Sequence, residues 1–351
     1  MEDDLQEAET WASSKTRSPT PHPRPHPQPR ATSTYERPAS REDFDIAFIC
    51  ALPIEKTAVQ AMFDDDWDDV EGAKKYGTAR PDTNAYSHGR IGSYNVVVAN
   101  IGGMGKRHAA AAATHICHTW PKLQLILVVG ICGAVPFPPS EIGEIILGDV
   151  VISSGVIQYD FGRRLDSGFV PKKEPQDLLP GPRSKVRPLL DKLRGVIDNR
   201  RLRDRLVRNL GRLEADADLK ASYLGAKHDV LFRGNVRHVQ EGMSCREAGC
   251  QGRVHRKRLV DYDGPRPSPA VHIGLVGSAD TVMKSGSERD RIAMEDGVIA
   301  FEMEGAGVWG DTPCLVIKGV CDYADGHKMK KWQSHAAAAA AAGAAAFLDD
   351  W

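Results

Sequence analysis

The sequence predicts an α/β fold in which a largely parallel sheet is covered by helices on both faces. Three observations carry this. Short apolar runs end in Gly or polar residues, helical patterns alternate with those runs, and the length of 351 residues suits one large domain with extensions. With 41% hydrophobic and 26% charged residues the composition is that of a soluble globular protein.

In chain order, residues 1–42 form a separate stretch, with "PTPHPRPHPQPR" set among Ser, Thr and mixed charge. This composition cannot bury enough surface to offset its ordering entropy, so a disordered arm is expected. Its His/Pro alternation could suggest a metal-binding tract, but a solvated linker is the reading preferred. From residue 43 to 351 runs the domain. Its strands are expected at "DIAFICAL", "SYNVVVANI", "LQLILVVGI", "GDVVISSGV", "AVHIGLVG" and "CLVIKGV". Helices are expected at "EKTAVQAMF", "GKRHAAAAATHICHTW" and "RSKVRPLLDKLRGVIDNRRLRDRLVRNL", and the alanine-rich end "HAAAAAAAGAAAFLDDW" reads as a packed terminal helix. It is too weakly apolar to span a bilayer.

Residues 214–268 break the rhythm with polar, basic sequence and read as an excursion loop. Cys245, Cys250 and His255, with His238 as a fourth, could ligate zinc. The C-x4-C spacing is looser than a usual zinc pair and occurs once, so a loop without metal is preferred. The run "RVHRKR" reads as a solvated face. A net charge of −1 gives no reason to expect nucleic acid. The other five cysteines lie in apolar segments and no secretory segment precedes the domain, which points to a reducing, cytoplasmic setting with no membrane partner.

In "VIAFEMEGAGVWGD" two carboxylates, Glu302 and Glu304, flank one methionine. A strand would send them to opposite faces and a helix would set them apart around its axis, so one at most is expected to face a ligand. Ligands in such folds bind where strands end. The strand-end clusters are "CALPIEKTAV", "VVGICGAVP", "GSADTVMKSG", "FEMEGAGVW" and "VIKGVCDYADGHK". Each offers a Gly-rich turn for close backbone approach or a carboxylate in apolar surroundings.

The segments "GMGK", "VVGICGAVP", "GDVVIS", "QYDFGR", "FEMEGAGVW" and "KGVCDYAD", in this order, resemble the nucleoside phosphorylase and nucleosidase family, in the version common in fungal proteins. The resemblance covers residues 44–349. It implies a three-layer α/β/α sandwich whose mixed central sheet is partly barrel-like. The implied activity is cleavage of the bond between ribose C1′ and a base nitrogen, by water or by phosphate.

Such cleavage puts positive charge on the ribose and negative charge on the departing base. The resemblance gives the leaving-group acid to Asp322, with Asp325 the weaker candidate and a simple capping role for Asp322 as the alternative. Glu304 falls where the family holds the ribose hydroxyls, Met303 is placed under the ribose, and Glu302 is left a structural hydrogen bond. Val282 and Met283 are placed beside the purine. Asp280 has an open role in the same loop. Ile131, Cys132 and Gly133 would line the site, with Tyr159 a weaker candidate.

Glu55 matches the water-activating base of the nucleosidases, and a carboxylate at the first strand end would repel phosphate. Hydrolysis of a purine nucleoside or 5′-substituted adenosine is therefore the favoured activity. A phosphorylase, with Lys106 and Arg107 as possible positive charge, is the runner-up; these two are expected on the first turn of a helix, facing solvent. A nucleoside-sensing module with weak turnover is the third reading. No cofactor or metal is expected. A homo-oligomer is implied by the resemblance.

Overall fold

The computed structural model describes residues 35–139, 142–166, 168–174, 178–181, 185–240, 243–260, 267–310 and 313–351. Residues 1–34 of the Pro/His-rich arm lie outside them. The end of the arm does not behave as a disordered segment: Pro38 is buried and accepts from the Tyr76 hydroxyl (3.0 Å), and Arg37 Nε donates to the Trp67 carbonyl (3.1 Å). Residues 37–351 form one compact unit.

Among the described residues, eleven strands and eight α-helices follow one another. They are β1 (Ile46–Cys50), α1 (Pro53–Gln60), β2 (Asp65–Asp66), β3 (Ala85–Ile91), β4 (Tyr94–Asn100), α2 (Lys106–Thr119), β5 (Leu125–Ala134) and β6 (Val150–Gln158). Next come β7 (Gly162–Leu165), β8 (Gly168–Pro171), α3 (Val186–Arg194), α4 (Val196–Ala215), α5 (Lys257–Val260) and β9 (Val271–Ser278). The last are α6 (Gly286–Asp296), β10 (Val298–Glu302), α7 (Gly305–Val308), β11 (Cys314–Asp322) and α8 (Gln333–Leu348).

Nine strands form one sheet in the order β10-β9-β6-β11-β5-β1-β4-β3-β2, and β10 also pairs with β5. That extra pairing closes β5, β11, β6, β9 and β10 into a five-stranded barrel-like sheet. β1 lies parallel to β4 and β5, whereas β11–β6, β3–β4 and β10–β5 are antiparallel, so the sheet is mixed rather than largely parallel. Apolar patterning reports burial and leaves strand direction undetermined, which is why the runs alone read as largely parallel while the family resemblance implied the mixed sheet found.

The ten residues of β5 are shared between two neighbours. β1 pairs with Leu125–Val128 and β10 with Gly133 and Ala134, so on that edge Val129–Cys132 have no strand beside them. This gap is where the candidate site lies.

Of the 16 residues of α8, 14 are buried, in keeping with a helix that is apolar all round. Small side chains let it approach β11 so closely that a Cβ at Gly319 would collide with the Ala336 carbonyl. On its other side Leu202, Leu206, Leu210 and Leu213 of α4 supply a buried stripe at helical spacing. No helix among the described residues is long and apolar enough to cross a membrane.

Candidate active site

Glu55 sits in the first turn of α1 and is 2% exposed. Its Oε2 accepts hydrogen bonds from the Ala51 and Leu52 amides (2.9 and 2.8 Å), which the strand-to-helix turn leaves without partners. Oε1 accepts from the Ile131 amide at 2.9 Å, in the gap along β5. Gly130 makes this approach possible, because a Cβ there would collide with the Glu55 carboxylate. Burial raises the Glu55 pKa, opposed by the Lys318 ammonium and reinforced by Glu304.

Lys318 lies in β11 beside Gly130 of β5 and is 1% exposed. Its Nζ is 2.9 Å from Glu304 Oε2 and 3.6 Å from Glu302 Oε2. Burial alone would lower its pKa, but Glu304, Glu302 and Glu55 together hold it well above the ordinary lysine value. The sequence reading missed this residue. A Lys inside the otherwise apolar "CLVIKGVC" was the available signal, since a fully buried ammonium requires a counter-charge.

Glu302 and Glu304 therefore converge on one ammonium, although strand alternation would have sent them to opposite faces. The strand ends at Glu302 and the chain turns into α7, so strand alternation does not apply across Met303. Glu302 also accepts from the Glu304 amide (3.0 Å) and the Gly305 amide (2.9 Å). Burial raises its pKa. Glu304 accepts from the Gly105 amide at 3.3 Å; burial would raise its pKa, but the closer Lys318 holds its carboxyl below the usual range. Met303 is half-buried.

Asp322 ends β11, opposite Gly133 of β5. Its Oδ1 accepts from Lys328 Nζ (2.6 Å) and from the Ala324 amide (2.8 Å), so the carboxylate both pairs with a cation and caps the following turn. A Cβ on Gly133 would lie 2.6 Å from that oxygen. Cys132 is buried, and the neighbouring Cys321 thiol donates to its carbonyl (3.4 Å). Burial pushes both thiols up, so neither is poised as a thiolate. Ile131 is half-buried.

A second ion cluster borders the site. Lys106 opens α2 as expected, but its side chain does not face solvent: Nζ lies 2.5 Å from Asp160 and 3.7 Å from Asp280. Asp280 Oδ1 accepts from the Lys106 amide (2.7 Å) and the Asp280 amide donates to Asp160 (2.9 Å). Asp280 thus holds the start of α2, and Asp160 is a further residue the sequence reading missed. Arg107 is exposed. Tyr159 is buried, donates to the Thr281 carbonyl (3.2 Å) and packs edge-on against Phe301, which fixes the 280–283 loop. Met283 packs beside them while Val282 is 49% exposed.

Behind Asp322 the excursion supplies structure. Tyr323 donates to Asp229 (2.5 Å) and lies under the Arg256 guanidinium, which pairs with Glu144 at 2.5 Å. A cavity of about 630 Å³ opens elsewhere, beside Ile142, Arg203 and His272. Glu144 lines it, but Glu55, Glu302, Glu304 and Asp322 do not.

Residues 45–349 match the family model of the phosphorylase superfamily. The chain belongs to that superfamily. An NLR-like protein of Hyaloscypha variabilis is 35% identical over 320 residues, 88% of this chain. The chain spans only 30% of that relative's length. A 5′-methylthioadenosine/S-adenosylhomocysteine nucleosidase of Mycobacterium bovis is 23% identical over 288 residues, covering 80% of this chain and 86% of the other. Among solved structures, the corresponding nucleosidase of Neisseria meningitidis, in complex with methylthio-immucillin-A, superposes with a TM-score of 0.53 at 18% identity. It is covered over 99% of its length and 88% of this chain. Futalosine hydrolase of Helicobacter pylori gives 0.52 at 15% identity, with 89% and 100% covered. The superfamily fold, including its barrel-like mixed sheet, is therefore shared.

Proposed function

We propose that the protein is a purine nucleosidase that hydrolyses the N-glycosidic bond of a purine nucleoside or 5′-substituted adenosine. The observation that carries this reading is the charge of the β5 gap. Glu55, Glu302 and Glu304 surround one ammonium, so a phosphate dianion entering there would meet net negative charge. The other nearby cations are already matched, Lys106 by Asp160 and Asp280 and Lys328 by Asp322. A neutral water suffers no such repulsion.

Glu55 takes the role of base. It is held rigidly by three amides, and a carboxylate whose pKa is raised by burial is a stronger proton acceptor than an exposed one. Glu304 accepts from the ribose hydroxyls, its position fixed by Lys318 and Gly105, and its negative charge favours the positive charge growing on the sugar. Asp322 faces the departing base, and Lys328 beside it adds a cation where negative charge accumulates. Met303, Ile131 and Gly133 supply the apolar bed, with Val282 and Met283 on the base side.

The test is incubation of the full chain with adenosine, inosine and 5′-methylthioadenosine, with and without phosphate. Free base and free sugar formed without phosphate are expected. Strict phosphate dependence with a ribose 1-phosphate product would establish phosphorolysis instead. Binding of nucleosides without turnover would favour the sensing module, a reading to which the NLR-like relative lends its one specific support.

A further inference from the structure

The excursion assembles a cluster of soft ligands apart from the carboxylates of the β5 gap. His238, Cys250 and His327 place one donor atom each within 4.8 Å of one another. His238 Nδ1 lies 3.3 Å from Cys250 Sγ and 3.8 Å from Cys245 Sγ. A tetrahedral zinc, with Zn–S near 2.3 Å and Zn–N near 2.0–2.1 Å, separates its S and N ligands by about 3.5 Å. The spacing observed brackets that value.

Two further observations point to a ligand. His238 Nε2 lies 3.1 Å from the Met243 carbonyl, which fixes the tautomer that leaves Nδ1 free to coordinate. The His327 side chain is 2% exposed, yet neither ring nitrogen has a hydrogen-bond partner among the described residues; Asp325 Oδ1 lies 3.7 Å from Nδ1. A buried imidazole without partners is costly unless something else satisfies it. Its ring stacks on Phe232 at 4.1 Å, which holds it edge-on to His238.

We propose that His238, Cys245, Cys250 and His327 bind one structural zinc ion. His327 takes the place the sequence assigned to His255, which is exposed. Binding displaces both thiol protons, so two thiolates and two neutral imidazoles give an uncharged centre that suits its burial. Four protein ligands close the coordination sphere, as in structural rather than catalytic sites. The ion ties His238, Cys245 and Cys250 to His327, next to Lys328, which pairs with Asp322. Its role is to hold the excursion against the end of β11. The site stands whether the protein acts by hydrolysis, by phosphorolysis or as a sensor.

The test is the metal content of the untagged full chain from zinc-supplemented medium, measured by plasma mass spectrometry. About one zinc per chain is expected, lost in Cys245→Ser/Cys250→Ser and in His327→Ala. Both variants keep His22 and His26 of the arm, so zinc retained by the double serine variant would overturn the assignment. A Cys245–Cys250 disulfide in zinc-free protein would do the same. If the variants do not fold, cobalt(II) substitution of the wild type decides. Tetrahedral d–d bands with thiolate-to-cobalt charge transfer support the site, and a spectrum of octahedral, sulfur-free cobalt overturns it.

Discussion

Lys318 and Glu304 form a buried ion pair at 2.9 Å, and that pair links the strand carrying Asp322 to the turn that follows β10. Desolvating two charges is expensive, so such a pair is poor evidence of stability for its own sake. Its value is geometric. It holds Glu304 ionised and in one place.

Breaking the pair from one side leaves uncompensated buried charge. Lys318→Met is expected to destabilise the fold by about 3–5 kcal/mol, read as a lower midpoint in urea. Lys318→Met combined with Glu304→Gln should recover part of the loss. Additive losses in the double variant would show that the two side chains do not interact energetically.

The same cation tunes the base. Burial raises the Glu55 pKa and Lys318 opposes that rise, so removing Lys318 moves Glu55 further upward. Glu55 acts as base only when ionised, so the acid limb of kcat/KM against pH reports it, and activity climbs as pH rises through that limb. In Lys318→Met the limb should shift to higher pH. An unmoved limb would remove Glu55 from the rate-determining ionisation.

Gly130→Ala places a methyl against the Glu55 carboxylate. The carboxylate must swing off the Ile131 amide, and loss of turnover is expected to exceed the loss of stability, which overpacking sets at roughly 1–3 kcal/mol. Parallel measurement of kcat and thermal midpoint checks this. Near-normal turnover in a folded Gly130→Ala would mean that the Glu55–Ile131 contact is dispensable.

Asp322→Asn preserves shape and the capping acceptor for Ala324 while removing the charge. A fall in kcat of about 10²–10⁴-fold is expected, the range typical of general acid–base contributions, with an unchanged circular dichroism spectrum. Wild-type rates would exclude Asp322 from the mechanism.

Sequence patterning located β1, β4, β5, β6, β9, β11 and the buried α8, because apolar runs and their period record burial directly. It did not find β3, whose "AYSHGRI" alternates buried and half-exposed residues on the flank of the sheet. Nor did it find Lys318, Asp160 or the grouping of His327 with Cys250. These depend on partners brought from distant parts of the chain.

By itself the sequence determined the layered α/β architecture, the apolar strands, the Gly-rich turns and the carboxylates at strand ends. Tertiary structure alone decided which of those groups meet. The split of β5 between β1 and β10 left an unpaired stretch of backbone, and Glu55 fills it. The end of β10 at Glu302 turned two carboxylates onto one ammonium. The return of the chain after β11 carried His327 to the cysteines of the excursion. Each is a long-range pairing set by sheet closure, and local spacing records only what neighbours in sequence can reach.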